Sequence, residues 1–104
     1  MKYTFHPEAE AEFLDAIDYY KECEPGLGYD FAIEVHASIK SILSFPKAWP
    51  ILEDDIRRCH TRRFPYGIVY SHDGDIIFIL AVMDLRRAPD YWKDRVRQRP
   101  EAGE

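Results

Sequence analysis

The sequence predicts an α+β domain in which a helical hairpin covers one face of a twisted, largely antiparallel sheet. Three features predict it. Residues 7–45 carry two amphipathic helical patterns separated by one Pro-Gly turn, short strand-like runs follow them, and an Asp-Gly hairpin signal separates the last two runs. At 104 residues the chain is expected to be a single domain, 1–104, since two halves would each lack a sufficient core. Hydrophobic residues make up 46% and charged residues 32%, a globular balance that excludes a disordered tail.

Residues 2–6, KYTFH, alternate in polarity and predict a short strand. His6-Pro7 follows, with proline suited to the first helical position and His6 to the cap. Glu8 and Glu10 fall where the positive end of the helix dipole favours carboxylates. Ala9, Phe13, Ala16, Ile17 and Tyr20 share one side of a 3.6-residue wheel, while Glu8, Glu12, Asp15, Asp18 and Glu22 point elsewhere. A helix is expected over about 7–23. EPGLG at 24–28 turns the chain, and a second helix runs to about Phe45 with Phe31, Val35, Ile39 and Ile42 on its core face. Tyr29, Ile33 and His36 lie on its other side, and Pro46 stops it. So short a turn sets the two helices antiparallel.

KAWPILEDD, 47–55, reads as a connector. Residues 57–63, RRCHTRR, read as a strand with one face open to solvent, because so basic a run suits no core. PYGIVY, 65–70, is the next strand, with Pro65 at its start. Asp73-Gly74 predicts a two-residue hairpin loop. IIFILAV, 76–82, is apolar on both faces and predicts an inner strand. Pro89 is expected to restart a short helix through DYWKDRV, and about 98–104 to fray. The predicted order is β-α-α-β-β-β.

No apolar run approaches the roughly 20 residues that span a bilayer, and MKYTFHPEAEAEF has no apolar signal core. A cytoplasmic protein with no membrane partner is expected. Cys23 and Cys59 have no metal spacing and are expected to be buried, reduced thiols. The four histidines fall on separate segments, so neither a metal nor another cofactor is expected. The net charge of −5 is uneven: residues 1–55 hold 12 acids and 4 bases, residues 56–104 hold 7 acids and 10 bases. The arginine pairs at 57–58, 62–63 and 86–87 form either a solvated face or a local basic surface for an anionic partner.

MDLRRAPDYW, 83–92, leaves the most apolar strand with two arginines, a proline, a tyrosine and a tryptophan together. With HPEAEAEF at the first helix and the FPY-x-I-x-Y run, this ordered set resembles the RelE/ParE superfamily of toxins from type II toxin–antitoxin systems. The resemblance covers about residues 2–97 and lies closer to the ParE branch, whose two helices are long. It implies a toxin silenced by a cognate antitoxin, a link to plasmid stabilization, and no sequence-specific DNA binding by this chain alone. ParE-like members poison DNA gyrase without hydrolysis. RelE-like members cut messenger RNA on the ribosome.

Metal-independent RNA cleavage by the 2′-hydroxyl needs a base, cations and an acid. For a RelE-like nuclease the resemblance puts Arg63, Arg86 and Tyr91 in those roles, with Arg62 as an alternative to Arg63. Three departures count against it. Gly67 follows Tyr66 where the nuclease branch has arginine, and Asp84 stands where many relatives have histidine. A carboxylate there repels phosphate unless an arginine neutralises it. The pI near 5.3 also suits ribosomal RNA poorly. The expectation is therefore a non-enzymatic toxin that contacts its antitoxin and target through Arg58, Arg62, Arg63, Tyr66, Tyr70, Arg86, Arg87, Tyr91 and Trp92. The alternatives are the ribosome-dependent endoribonuclease and a non-toxic antitoxin-binding module. In a purely structural role, Arg86 and Arg87 pair with Asp84 or Asp90, and Tyr91 and Trp92 pin a terminal helix to the sheet.

Overall fold

A computed structural model describes residues 1–98. The elements are β1 (Lys2–Phe5), α1 (Pro7–Cys23), α2 (Leu27–Ser44), β2 (Ile51–Glu53), β3 (Ile56–His60), β4 (Tyr66–Asp73), β5 (Ile76–Asp84) and a 3-10 helix (Lys93–Gln98). The five strands form one sheet in the order β1-β5-β4-β3-β2, with β1 parallel to β5 and the other pairs antiparallel. This is the expected α+β architecture. The fraying expected from about 98 onward falls, beyond Gln98, outside the described residues.

His6 caps α1 as its position implies: its Nδ1 accepts from the Glu8 amide at 3.0 Å, and Nε2 bonds the Gln98 side chain. Gly26, at φ +85°, makes the turn into α2. Gly28 lets the helices meet closely, since a Cβ there would lie 2.6 Å from the Ile17 carbonyl oxygen. Between the hairpin and the sheet lies the main core, in which Phe13, Tyr20, Phe31, Val35, Ile39 and Ile42 meet Ile68, Tyr70, Ile77 and Ile79.

Several expectations need correction. The connector contains the edge strand β2, whose turn into β3 rests on Asp54 at φ 50°, a conformation aspartate tolerates better than most residues. Strand β3 ends at His60, so Arg62 and Arg63 sit on a loop. The hairpin loop is Gly74-Asp75, one residue on from the expected pair, because Asp73 still pairs with Ile76 and only Gly74 takes positive φ. After Pro89 the chain makes turns, and its 3-10 helix starts only at Lys93. Cys23 is exposed, while Cys59 is buried and both are free.

The sheet's second face is not left open. Ile56, Val69, Phe78, Leu80, Ala81 and Met83 form a second core closed by Trp92, with Tyr91 and Val96 packed against it. A β-bulge lies in this core: Tyr70 pairs with Ile79 and Val69 with Ala81, so Leu80 is an extra residue in β5. Leu80 and Ala81 consequently both join the second core. The continuous apolar run of β5 reflects burial on both faces.

Candidate functional site

Strand β5 ends at Asp84, opposite Tyr66. Arg86 folds straight back onto this carboxylate, with Nε 2.8 Å from Oδ1 and Nη2 2.6 Å from Oδ2. The Arg86 amide donates to Oδ1 as well, at 2.9 Å. These hydrogen bonds from Arg86 hold the Asp84 carboxyl below the usual carboxylate range and push the guanidinium value up. The charge that a nuclease would need at Arg86 is thus already directed at an internal acid.

One residue further on, Arg87 stacks over the Tyr91 ring at 3.7 Å from its centroid. Tyr91 donates its hydroxyl to Glu12 Oε2 at 2.7 Å. Burial, and then that bond to a carboxylate, push the phenol well above its ordinary value. A general base needs a value near the working pH, so the shift runs in the wrong direction for proton abstraction.

Glu12 is the centre of this cluster, and the helical wheel misplaced it among outward-facing acids. Strand β1 stops at Phe5, paired with Ile79, and the chain turns into α1. Among the described residues the remainder of β5 has no strand on that side. Glu12, one and a half turns into α1, reaches the vacant edge and accepts from the Val82 amide at 3.1 Å. Arg95 comes from the 3-10 helix, donating to Glu12 Oε1 and Oε2 at 3.0 and 2.9 Å and to the bulge carbonyl of Leu80 at 2.9 Å. The two side chains are only 15% and 10% exposed. Neither residue was singled out in the sequence. They are 83 positions apart, and no spacing rule links them.

The other arginines divide between structural and open positions. Arg57 donates to the carbonyls of Lys47 and Trp49 at 3.1 and 2.7 Å. The stem of Arg58 lies over Gly67, where a Cβ would be 2.9 Å from Arg58 Cδ; an arginine at 67 would have to displace it. The Arg63 amide donates to both Glu34 oxygens at 3.1 Å, and its guanidinium pairs with Asp30 at 3.5 Å. Arg62 is exposed and has no partner among the described residues.

Two of the expected contact residues are core residues instead. Tyr70 is fully buried and donates to the Pro46 carbonyl at 2.7 Å; burial pushes its phenol up to about 12. Trp92 is buried, with its indole N–H on the Pro89 carbonyl at 2.9 Å. Tyr70 packs in the main core beneath the helices, and Trp92 closes the second core. Tyr66 is half-buried beside Tyr20 and Phe31, and burial pushes it up to about 12. Arg63, Arg86 and Tyr91 are therefore held by three different acidic sets: Asp30 with Glu34, Asp84, and Glu12.

Two surface cavities flank this arrangement. One, of about 250 Å³, lies where α1 faces β4 and β5, and Glu12, Asp15, Asp84, Tyr19, Tyr66 and Arg87 line it. Of its carboxylates, Glu12 and Asp84 are already paired with arginines. The other, of about 500 Å³, lies between α2 and β3 and includes Trp49, a residue the sequence did not flag. Among the described residues no helix is long and apolar enough to cross a membrane, and no three His, Cys, Asp or Glu side chains group as metal ligands.

Comparisons with known proteins agree with this architecture. A solved structure described as the chromosomal ParDE TA system from P. aeruginosa is similar in fold, with a TM-score of 0.70 at 17% identity, over 81% of this chain and 95% of that one. No curated protein sequence matches. The sequence profile of the ParE toxin of type II toxin-antitoxin system, parDE, matches residues 3–91, nearly the whole described chain. The chain therefore belongs to the ParE toxin family of type II toxin–antitoxin systems.

Proposed function

We propose that this toxin acts by binding a large target, DNA gyrase by family resemblance, without catalysing a reaction, and that a cognate antitoxin neutralises it by covering its basic and aromatic surface. One observation carries the reading: Arg63, Arg86 and Tyr91, the three side chains assigned to a nuclease mechanism, are each engaged by an internal carboxylate. Arg86 neutralises Asp84, and Tyr91 donates to Glu12 while its phenol is shifted away from general-base service. The accessible contact set comprises Arg58, Arg62, Arg63, Tyr66, Arg86, Arg87 and the outer edge of Tyr91. In that set the arginines supply charge and the tyrosines supply rigid area, a combination typical of binding hot spots.

The test is to induce the chain without its partner in bacteria and pulse-label DNA and protein synthesis over the first minutes. DNA synthesis is expected to fall first. An earlier fall in protein synthesis, with cut messenger RNA, would overturn the reading in favour of the ribosome-dependent nuclease.

A further inference from the structure

Most arginines of the sheet and its exits are already committed. Arg63, Arg86, Arg87 and Arg95 each pair with a carboxylate, and Arg57 donates to the carbonyls of Lys47 and Trp49. Arg58 does neither. Its stem packs over Gly67, and its guanidinium has no hydrogen-bond or ion-pair partner among the described residues. Arg62 is open too, but the cavity it lines also holds Asp30 and Glu34.

Arg58 instead belongs to a smaller cleft, of about 240 Å³, at the β2 end of the sheet. Trp49 and Pro50 of the connector line it, with Leu52 of β2 and Arg58 and His60 of β3. Among the described residues no carboxylate lines it, and Glu53, the acid next to Leu52, is taken by Lys93 at 3.1 Å. Burial, and then the Arg58 charge, hold the His60 imidazole below its ordinary value. The guanidinium is thus felt at a residue of this cleft, and His60 is uncharged at neutral pH. What remains is one unpaired cation against an apolar wall. That wall is open to a partner: β2 is the last strand of the sheet, Pro50 is exposed and Leu52 is 36% exposed.

Charge and polarity together select the occupant. A nucleic-acid strand is held by several cations along its backbone, and a single one lines this cleft. A peptide with a carboxylate next to an apolar side chain matches both halves, since a guanidinium and a carboxylate form strong charge-assisted hydrogen bonds. We infer that this cleft seats a segment of the antitoxin carrying an aspartate or glutamate beside an apolar side chain, with the Arg58 guanidinium donating to the carboxylate and the apolar side chain packing against Pro50 and Leu52. The inference rests on the antitoxin reading above and deepens it by assigning one anchor point.

The test titrates the full chain, labelled at its leucine methyls, with the cognate antitoxin, followed by NMR and by calorimetry. The Leu52 methyl signals are expected to shift while those of buried Leu80 stay in place. Arg58→Gln keeps much of the stem over Gly67 and removes the charge, and it is expected to weaken the complex at least about tenfold. Arg58→Lys should recover part of that loss. Leu52→Ser lies on an exposed edge strand and should fold normally, so it decides the matter if the glutamine variant does not fold; a loss of about fivefold is expected. Lys40→Gln, on the exposed side of α2, removes the same charge far from the cleft and should stay within about twofold of the parent.

Tight binding with unmoved Leu52 signals, and with Arg58→Gln and Leu52→Ser within twofold of the parent, would overturn the inference alone. So would an equal loss in Lys40→Gln, which would mark a general effect of charge. Leu52 signals that ignore the antitoxin and move with purified gyrase, or with the chain's own concentration, would assign the cleft to another occupant and overturn it as well. An antitoxin that fails to bind the parent chain would overturn the antitoxin reading and the inference together.

Discussion

The β1-facing edge of β5 is completed in two different ways along its length. Over Ile76–Ile79 it pairs with β1, backbone to backbone. Beyond Ile79 the strand is gone, and the edge is met by Glu12 on the Val82 amide and Arg95 on the Leu80 carbonyl. The first solution spreads the task over four residues. The second concentrates it in one partly buried ion pair, which also ties α1 to the C-terminal 3-10 helix and holds Tyr91. A ladder tolerates single substitutions; an ion pair out of water does not, because removing one member strands the other.

The largest expected effect follows from that contrast. Arg95→Met should cost about 3 kcal/mol or more, since it leaves the Glu12 carboxylate and the Leu80 carbonyl short of a donor. Adding Glu12→Leu should recover part of the loss, as urea midpoints of the single and double variants would show. A double variant less stable by the simple sum would break the comparison. Amide exchange sharpens it: Val82 should exchange faster than Ile77 to Ile79, and faster again in Arg95→Met.

A smaller effect is expected from Tyr91→Phe, which removes one hydrogen bond to a carboxylate, about 1–2 kcal/mol by urea denaturation. Toxicity should persist at comparable expression, because the hydroxyl serves the Glu12 cluster and not a reaction. Loss of toxicity with stability intact would point back to catalysis.

The smallest concerns the exposed Asp84–Arg86 pair at the strand's end. Asp84 is depressed in the folded state, chiefly by the Arg86 hydrogen bonds. Its contribution is therefore complete above the ordinary carboxylate value of about 4 and fades as pH falls through the lowered folded value. Arg86 is 68% exposed, so solvent screening keeps the contribution small. Asp84→Asn should remove it at pH 7 and change nothing at the lowest pH, as paired urea titrations would reveal.

The same contrast explains what was legible in the sequence. The helices, the His6 cap, the inner strand and the family-bearing junction all rest on local patterns, and local patterns fixed them closely. The Asp84–Arg86 pair was readable for the same reason, as the residues are two apart. Glu12 with Arg95 was not, because its reason is a missing strand that only topology reveals. The covered second face was hidden likewise: the bulge at Leu80 looks like any other apolar residue in IIFILAV, yet it brings both Leu80 and Ala81 into the core that Trp92 closes. Trp92 was consequently expected at a surface when it closes that second core, and Tyr70, also expected at a surface, lies in the main core beneath the helices. Trp49 carried no local signal, since an unmet donor exists only in three dimensions.

The most direct test of the central claim is DNA supercoiling by purified gyrase in the presence of the purified chain, run beside messenger RNA cleavage on translating ribosomes. The account predicts inhibited supercoiling, retained by Tyr91→Phe, and intact messenger RNA. Undisturbed supercoiling together with ribosome-dependent cleavage that Tyr91→Phe abolishes would contradict it.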